Sequence, residues 1–303
     1  MIRATDLDLL RESVGLVDRS ARGKLILRGA EAAEFLQGQV TNDVEGLAPG
    51  AGCYALLLSH KGKVRADMRI LRGPDWIWID TPKGALPVLD HLFRTYGIGR
   101  DLGVEDVTAE RELLSLVGPA ARDALDVEVP DAEHAFAEHD GVLYVATDAG
   151  VDVICPAGAR PALAVEQVDE AAAECLRVES GRPRLGVDFG ADTIPQEAGL
   201  NERGVSFTKG CYVGQETVAR LHYKGKPNRH LRGLRLSAPA ARGDELRLGE
   251  RAVGALGSVA ESPVHGPIAL AIVRREAGPG DVLEVGDSGV TAEVVELPFA
   301  RAS

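Results

Sequence analysis

Residues 53–71 read CYALLLSHKGKVRADMRIL, and how this stretch folds decides the class of the whole chain. CYALLLS (53–59) is an apolar run of strand length. HKGK (60–63) is a turn with Gly62 at its flexible position, and Val64 to Leu71 returns as a second strand, giving a β-hairpin. In the return strand Ala66, Met68 and Ile70 alternate with Arg65, Asp67 and Arg69, so one face is apolar and the other charged. Two readings of Asp67 stand side by side. It is either one member of a solvated charge ladder, or a carboxylate in a cleft, available for proton transfer or cation stabilisation.

Outward from the hairpin, WIWID (76–80) alternates as a third antiparallel strand. ALPVLDHLFRTY (85–96) has helical apolar spacing, with Pro87 in its first turn where proline is tolerated. On the N-terminal side, residues 6–14 read as a helix, 24–28 as a strand, AEAAEFLQGQV as a short helix ending near Gly38, and 41–49 as a loop. On the other side follow a strand at 113–117, a helix at 119–125, and strands at 142–147 and 151–155. DEAAAECLRVES (169–180) is a helix. Strand pairs interleaved with helices predict an α+β fold with antiparallel sheets rather than a doubly wound parallel sheet. Neither GxGxxG after a strand nor GxxxxGK[ST] occurs, which argues against nucleotide binding by either route. Beyond Lys226-Pro227 the chain becomes short alternating strands with glycine turns, the pattern of a small β-barrel or sandwich. The expected division is 1–227 and 228–303.

Composition bounds the function. Of 303 residues, 45% are hydrophobic and 26% charged, as in an ordinary globular protein. A net charge of −12 argues against a generic nucleic-acid or anionic-membrane binder without excluding a local basic site. Aromatics at 4% give no evident stacking platform. Cys53, Cys155, Cys175 and Cys211 are scattered with no CxxC pair, so neither a zinc site nor a disulfide scaffold is expected, and a reducing compartment is. The first residues lack the apolar core of a signal peptide and no apolar run reaches membrane-spanning length, so a cytoplasmic location is expected. The seven histidines show no metal-ligand spacing, and no metal is expected.

The densest chemistry lies in SFTKGCYVGQETVAR (206–220), fed by a long glycine- and proline-rich loop (181–200). Gly214 is a flexible helix entry and Glu216 falls in the first turn, where an acid complements the helix dipole. Lys209 and the helix start are both expected to lower the pKa of Cys211. The bland alternative is a buried cysteine acting as a small hydrophobe. From Arg220 to Arg232 the chain holds five Lys/Arg and no acid, either a solvated rim or a site for an anionic ligand or partner. Glu179 ends its helix, where a carboxylate opposes the dipole, so Arg177, Arg182 or donors on a ligand should offset it.

Taken together, GLVDRSARGKLILRGAEAAEFLQGQVTNDV, the 52–71 hairpin, CLRVESGRPRLGVDF and above all KGCYVGQE resemble the folate-binding YgfZ-type proteins, relatives of the aminomethyltransferase (T-protein) of the glycine cleavage system. The resemblance covers most of the chain. It implies a clover-leaf α+β folate-binding fold with a C-terminal β-barrel and tetrahydrofolate in a central channel. Glu179 would hold the amino-pyrimidine edge of the pterin and Tyr54 would line the pocket. Asp67 would stand at the aminomethyltransferase's key carboxylate, and Lys209, Tyr212, Gln215 and Arg220 would complete the site. Aminomethyltransferases carry an acid, a phenylalanine and an arginine where this chain has Cys211, Tyr212 and Gln215. They also carry two adjacent acids where it has Ala66 and Asp67. The implied role is therefore maturation or repair of iron-sulfur enzymes through Cys211, with iron-sulfur client or assembly proteins as partners and with neither nucleic acid nor membrane. A one-carbon transferase or demethylase using Asp67 is the alternative, and a non-catalytic interaction module with structural folate is a third.

Overall fold

A computed structural model of the chain describes residues 4–287 and 289–300. Helix α1 (Ala4–Glu12) precedes strands β1 (Gly15–Asp18) and β2 (Gly23–Arg28), and α2 (Ala32–Gln39) leads to the hairpin of β3 (Gly52–Leu58) and β4 (Val64–Arg72). Then come β5 (Ile77–Thr81), α3 (Leu86–Tyr96), β6 (Gly103–Asp106), β7 (Arg111–Val117), β8 (Phe136–His139), β9 (Val142–Thr147) and β10 (Gly150–Pro156). Helices α4 (Glu170–Glu179), α5 (Asn201–Gly204) and α6 (Gln215–Lys224) follow. The chain finishes with β11 (Arg229–Leu236), β12 (Glu245–Leu248), β13 (Arg251–Ala255), β14 (Val259–Ser262), β15 (Gly266–Arg274), β16 (Val282–Val285) and β17 (Val290–Val295).

These strands make three antiparallel sheets, ordered β3-β4-β5-β2-β6, β1-β7-β10-β9-β8 and β13-β12-β16-β17-β11-β15-β14. The α+β class, with a last sheet that curls as a seven-stranded half-barrel, follows the sequence expectation. The alternation in β4 is what layers the first two sheets. Met68 and Ile70 join Leu27, Phe35, Leu36, Ile79, Leu89 and Phe93 in a core covered by α2 and α3. On the opposite face Leu71 and Trp78 pack with Leu113, Phe136, Val145 and Ile154 of the second sheet. The charged face of β4 is therefore not a solvated ladder. Arg65 is exposed, but Asp67 and Arg69 are buried between the sheets. Helix α4 packs through Ala172 and Cys175 against Leu7 and Leu10 of α1. Its last turn, through Val178, meets Ile268 and Leu270 of the C-terminal sheet and Phe299 in the segment after it.

One expected helix is missing. Residues 119–125 form consecutive turns, Ala121 N–H to Gly118 C=O and Leu125 N–H to Arg122 C=O at 3.2 Å each. Only Ala121 there is buried, and without an apolar stripe nothing holds a helix to the sheet. Strands β6 and β8 carry no alternation signal, and β6 is exposed along its length.

Candidate functional site

Tyr54 on β3 and Asp67 on β4 are diagonal neighbours, since Tyr54 registers with Arg69 and Leu56 with Asp67. The Tyr54 hydroxyl donates to Asp67 Oδ2 at 2.8 Å. Burial pushes the Asp67 carboxyl above its ordinary range, with Arg22 and the Tyr54 bond opposing the shift. Burial, then the Asp67 charge, pushes the Tyr54 phenol well up.

Helix α5 closes over this pair. Gly204 approaches so near that an added Cβ would lie 3.1 Å from Tyr54 Cδ1. Its carbonyl accepts from Thr41 Oγ1 at 2.5 Å, and the same Thr41 oxygen accepts from Leu56 N–H. One residue earlier, the Arg203 guanidinium lies 5.2 Å from the Tyr54 ring centroid. Arg203 is ion-paired to Glu133 and stands 3.6 Å from Asp148, which in turn pairs with Arg182 at 2.8 Å.

Around the pair, several buried polar atoms have no hydrogen-bond partner: Asp67 Oδ1, Arg203 Nε, Asn201 Oδ1, Arg69 Nη2 and both ring nitrogens of His134. His134 has φ of 68°, and burial, with Arg69 nearby, depresses its pKa to about 4, so the ring is neutral. Buried orphan atoms at this density are uncommon and mark a place that receives a polar group. Arg203, Glu133, His134 and Asp148 escaped the sequence reading.

Glu179 is not compensated by Arg177 or Arg182. Arg177 pairs with Glu174 and Asp188. The Glu179 partners are Arg11 of α1 at 2.6 Å, the Ser262 hydroxyl at 2.6 Å and the Cys175 thiol at 3.7 Å. All three bonds go to Oε1, and among the described residues Oε2 has no hydrogen bond. Glu179 shares no hydrogen bond or ion pair with the Tyr54–Asp67 cluster.

In the motif loop, Lys209 is occupied. Its ammonium donates to the carbonyls of Gln37 (2.6 Å), Val40 (2.8 Å) and Asn42 (2.8 Å), at and just beyond the end of α2. Burial lowers its pKa to about 8. Through these bonds it clips the loop to α2, helped by Val213 N–H to Gly38 C=O at 3.3 Å. Tyr212 is buried with Leu56, Leu58, Val64 and Val218, and burial raises its phenol to about 12. Gln215 opens α6, while Arg220 is exposed on it. Cys211 is exposed; Cys53, Cys155 and Cys175 are buried.

Gly214 caps α6 with φ of 83°, and an added Cβ would meet Ser59 O at 2.4 Å. Gly214→Ala is therefore expected to cost roughly 2 kcal/mol or more, from left-handed strain plus the clash with the hairpin turn. Urea denaturation of the variant measures it, and a loss under about 0.5 kcal/mol would show that the loop can shift freely.

Two clefts lie away from these residues. One of about 640 Å³ is lined by Phe189, Arg229, Ile272 and Arg274, and one of about 380 Å³ by Ala33, Arg72 and Trp76. Arg229 in the larger cleft is already saturated by Asp192 and Glu197, so the unmet chemistry is in the buried cluster. Among the described residues no three His, Cys, Asp or Glu gather to hold a metal ion, and no helix is long and apolar enough to cross a membrane.

The sequence profile of the GCVT N-terminal domain family matches residues 2–144. The chain is 28% identical over 296 residues to the tRNA-modifying protein YgfZ of Escherichia coli K12, covering 90% of each. It is 26% identical over 317 residues to a chloroplastic protein of Arabidopsis thaliana whose name calls it a transferase, covering 96% of this chain and 73% of that one. The crystal structure of glycine cleavage system aminomethyltransferase T from Bartonella henselae superposes with a TM-score of 0.88 at 24% identity, over 98% of this chain and 89% of that one.

Proposed function

We propose that this chain, a relative of YgfZ with a GCVT N-terminal domain over residues 2–144, is a tetrahydrofolate-binding accessory protein that acts through Cys211 in assembly or repair of iron-sulfur enzymes. The names of its relatives, one for tRNA modification and one for transfer, set the broader frame of a folate-linked role serving RNA modification. The observation that carries the folate reading is the buried Tyr54–Asp67 pair under Arg203, with Asp67 Oδ1, Arg203 Nε and Asn201 Oδ1 left unpartnered. Such a donor and acceptor set suits a flat heterocycle edged with amide and amine groups.

When bound, tetrahydrofolate supplies a reduced pterin whose amine nitrogens carry one-carbon groups. Glu179 would hold N–H donors through Oε2, its Oε1 being fixed by Arg11 and Ser262. Tyr54 orients Asp67, and Arg203 covers the tyrosine ring. In this reading Lys209 and Tyr212 contribute by fixing the loop that carries Cys211, and Gln215 and Arg220 border it. The second reading, a one-carbon transferase or demethylase, draws on Asp67 itself: buried, with a raised pKa and a free oxygen, it is suited to exchanging a proton.

Asp67→Asn tests the folate site. A raised pKa means that the native state holds the Asp67 proton to higher pH than the unfolded chain does. Stability from this group is then complete below its ordinary pKa of 3.8 and is lost as pH rises through the folded value. Asparagine cannot ionise and still accepts from Tyr54. The variant should melt higher than the parent at neutral pH and lose that part of the acid-side dependence. Tetrahydrofolate affinity, followed by quenching of Trp76 and Trp78, should fall about 10- to 100-fold, the worth of one hydrogen bond to a charged group. Failure of the parent chain to bind tetrahydrofolate at millimolar concentration would overturn the folate reading.

A further inference from the structure

We infer that the outer face of α6, with the turn of the β3–β4 hairpin, docks single-stranded RNA. The basic run seen in the sequence divides in two. Arg229 and Arg232 are neutralised, by Asp192 and Glu197 and by Glu296. Arg220, Lys224 and Lys226 are exposed and have no hydrogen bond or ion pair among the described residues.

Lys61 joins them. It sits exposed in the hairpin turn, which packs on the start of α6 so tightly that an added Cβ on Gly62 would lie 2.8 Å from Thr217 Cβ. Elsewhere most arginines are tied to carboxylates, so four free cations within about one ten-residue helix length, roughly 15 Å, are a local reversal of a net charge of −12. Glu216 is the exposed acid on α6.

Beside the cations lies a ring cluster. Phe207 and His222 stack with centroids 3.8 Å apart and planes 15° apart. Tyr223 stands edge-on to both and is 66% exposed. Sparse aromatics argued against a stacking platform; three rings gathered in one place supply one. Phosphates suit the free cations and bases suit the exposed ring, the pairing by which single strands are held without sequence preference. An acidic peptide would use the cations and leave the rings idle.

The inference deepens the proposed role by naming a partner, but it does not need folate to be bound. Its test uses the full chain and a fluorescein-labelled twelve-nucleotide RNA of mixed sequence, read by anisotropy over a salt series. Binding is expected, with log K falling against log salt at a slope of about −3 for four phosphate contacts. Combined Lys61→Glu, Lys224→Glu and Lys226→Glu should weaken it at least 30-fold, and Tyr223→Ala about 10-fold. Tetrahydrofolate quenching, measured in the same variants, reports whether they are folded and should stay at the parent value. The inference is overturned if the parent binds no RNA, if charge reversal leaves affinity unchanged, or if a poly-glutamate peptide binds and RNA does not. RNA binding without folate binding would sink the folate reading alone.

Discussion

Replacing Arg69 with methionine is expected to destabilise the protein by about 3–5 kcal/mol, the usual loss when one partner of a buried ion pair is removed. Arg69 is buried between the two five-stranded sheets. Its Nε donates to Asp80 on β5 at 2.7 Å and its Nη1 to Asp152 on β10 at 2.6 Å. Asp80 would keep Arg22 at 2.9 Å and the Trp78 indole at 3.2 Å. Among the described residues Asp152 would keep only the Ser115 hydroxyl and would be a buried carboxylate without a cation. Arg69→Lys should recover little, because a point charge cannot span two carboxylates as a planar fork does. Adding Asp152→Asn to Arg69→Met should return a good part of the loss, since the orphaned charge is then gone. Urea denaturation followed by Trp78 emission measures all three. A loss below 1 kcal/mol for Arg69→Met would mean that apolar packing alone joins the sheets.

That cluster shows what a sequence can and cannot convey. The alternation of Ala66, Met68 and Ile70 with Asp67 and Arg69 identified the strand and its two faces, because side-chain direction in a strand is a local property. What covers the charged face depends on Asp152 and Ser115, placed there by a second sheet that the hairpin gives no hint of. Glu179 makes the same point. Its unfavourable place at a helix end was legible, but the compensating Arg11 lies 168 residues away and is brought near only by the packing of α1 on α4. The curled C-terminal sheet was legible because short alternating strands separated by glycine turns have few other solutions. For Lys209 the place beside Cys211 was legible but its partners were not, because a long side chain reaches whatever unpaired carbonyls a helix end offers, here those of Gln37, Val40 and Asn42. The Tyr54–Asp67 cluster was half legible: both residues lie in the hairpin whose sequence belongs to the resemblance, whereas Glu133 and His134 sit in a turn-rich segment with no pattern.

Cys211→Ser is expected to abolish rescue of iron-sulfur enzyme activity in a deletion strain while leaving the fold intact. Cys211 is exposed, so exchanging sulfur for oxygen there should change stability by no more than about 0.5 kcal/mol. The same exchange at Cys53 buries a hydroxyl beneath α2, in a core where burial already pushes the thiol to about 12, and should cost about 1–3 kcal/mol. Cys53→Ser therefore calibrates how much lost rescue mere instability produces. Thiol labelling of the native protein should modify Cys211 alone, and all four cysteines only after denaturation. What distinguishes Cys211 is access: it stands on a loop clipped at Lys209 and capped at Gly214, beside the free cations of α6. If Cys211→Ser rescues fully while Asp67→Asn does not, the working group is the carboxylate, and the one-carbon transferase reading replaces the thiol one. If both rescue, neither the carboxylate nor the thiol is the working group, and the role of an interaction module with structural folate is left.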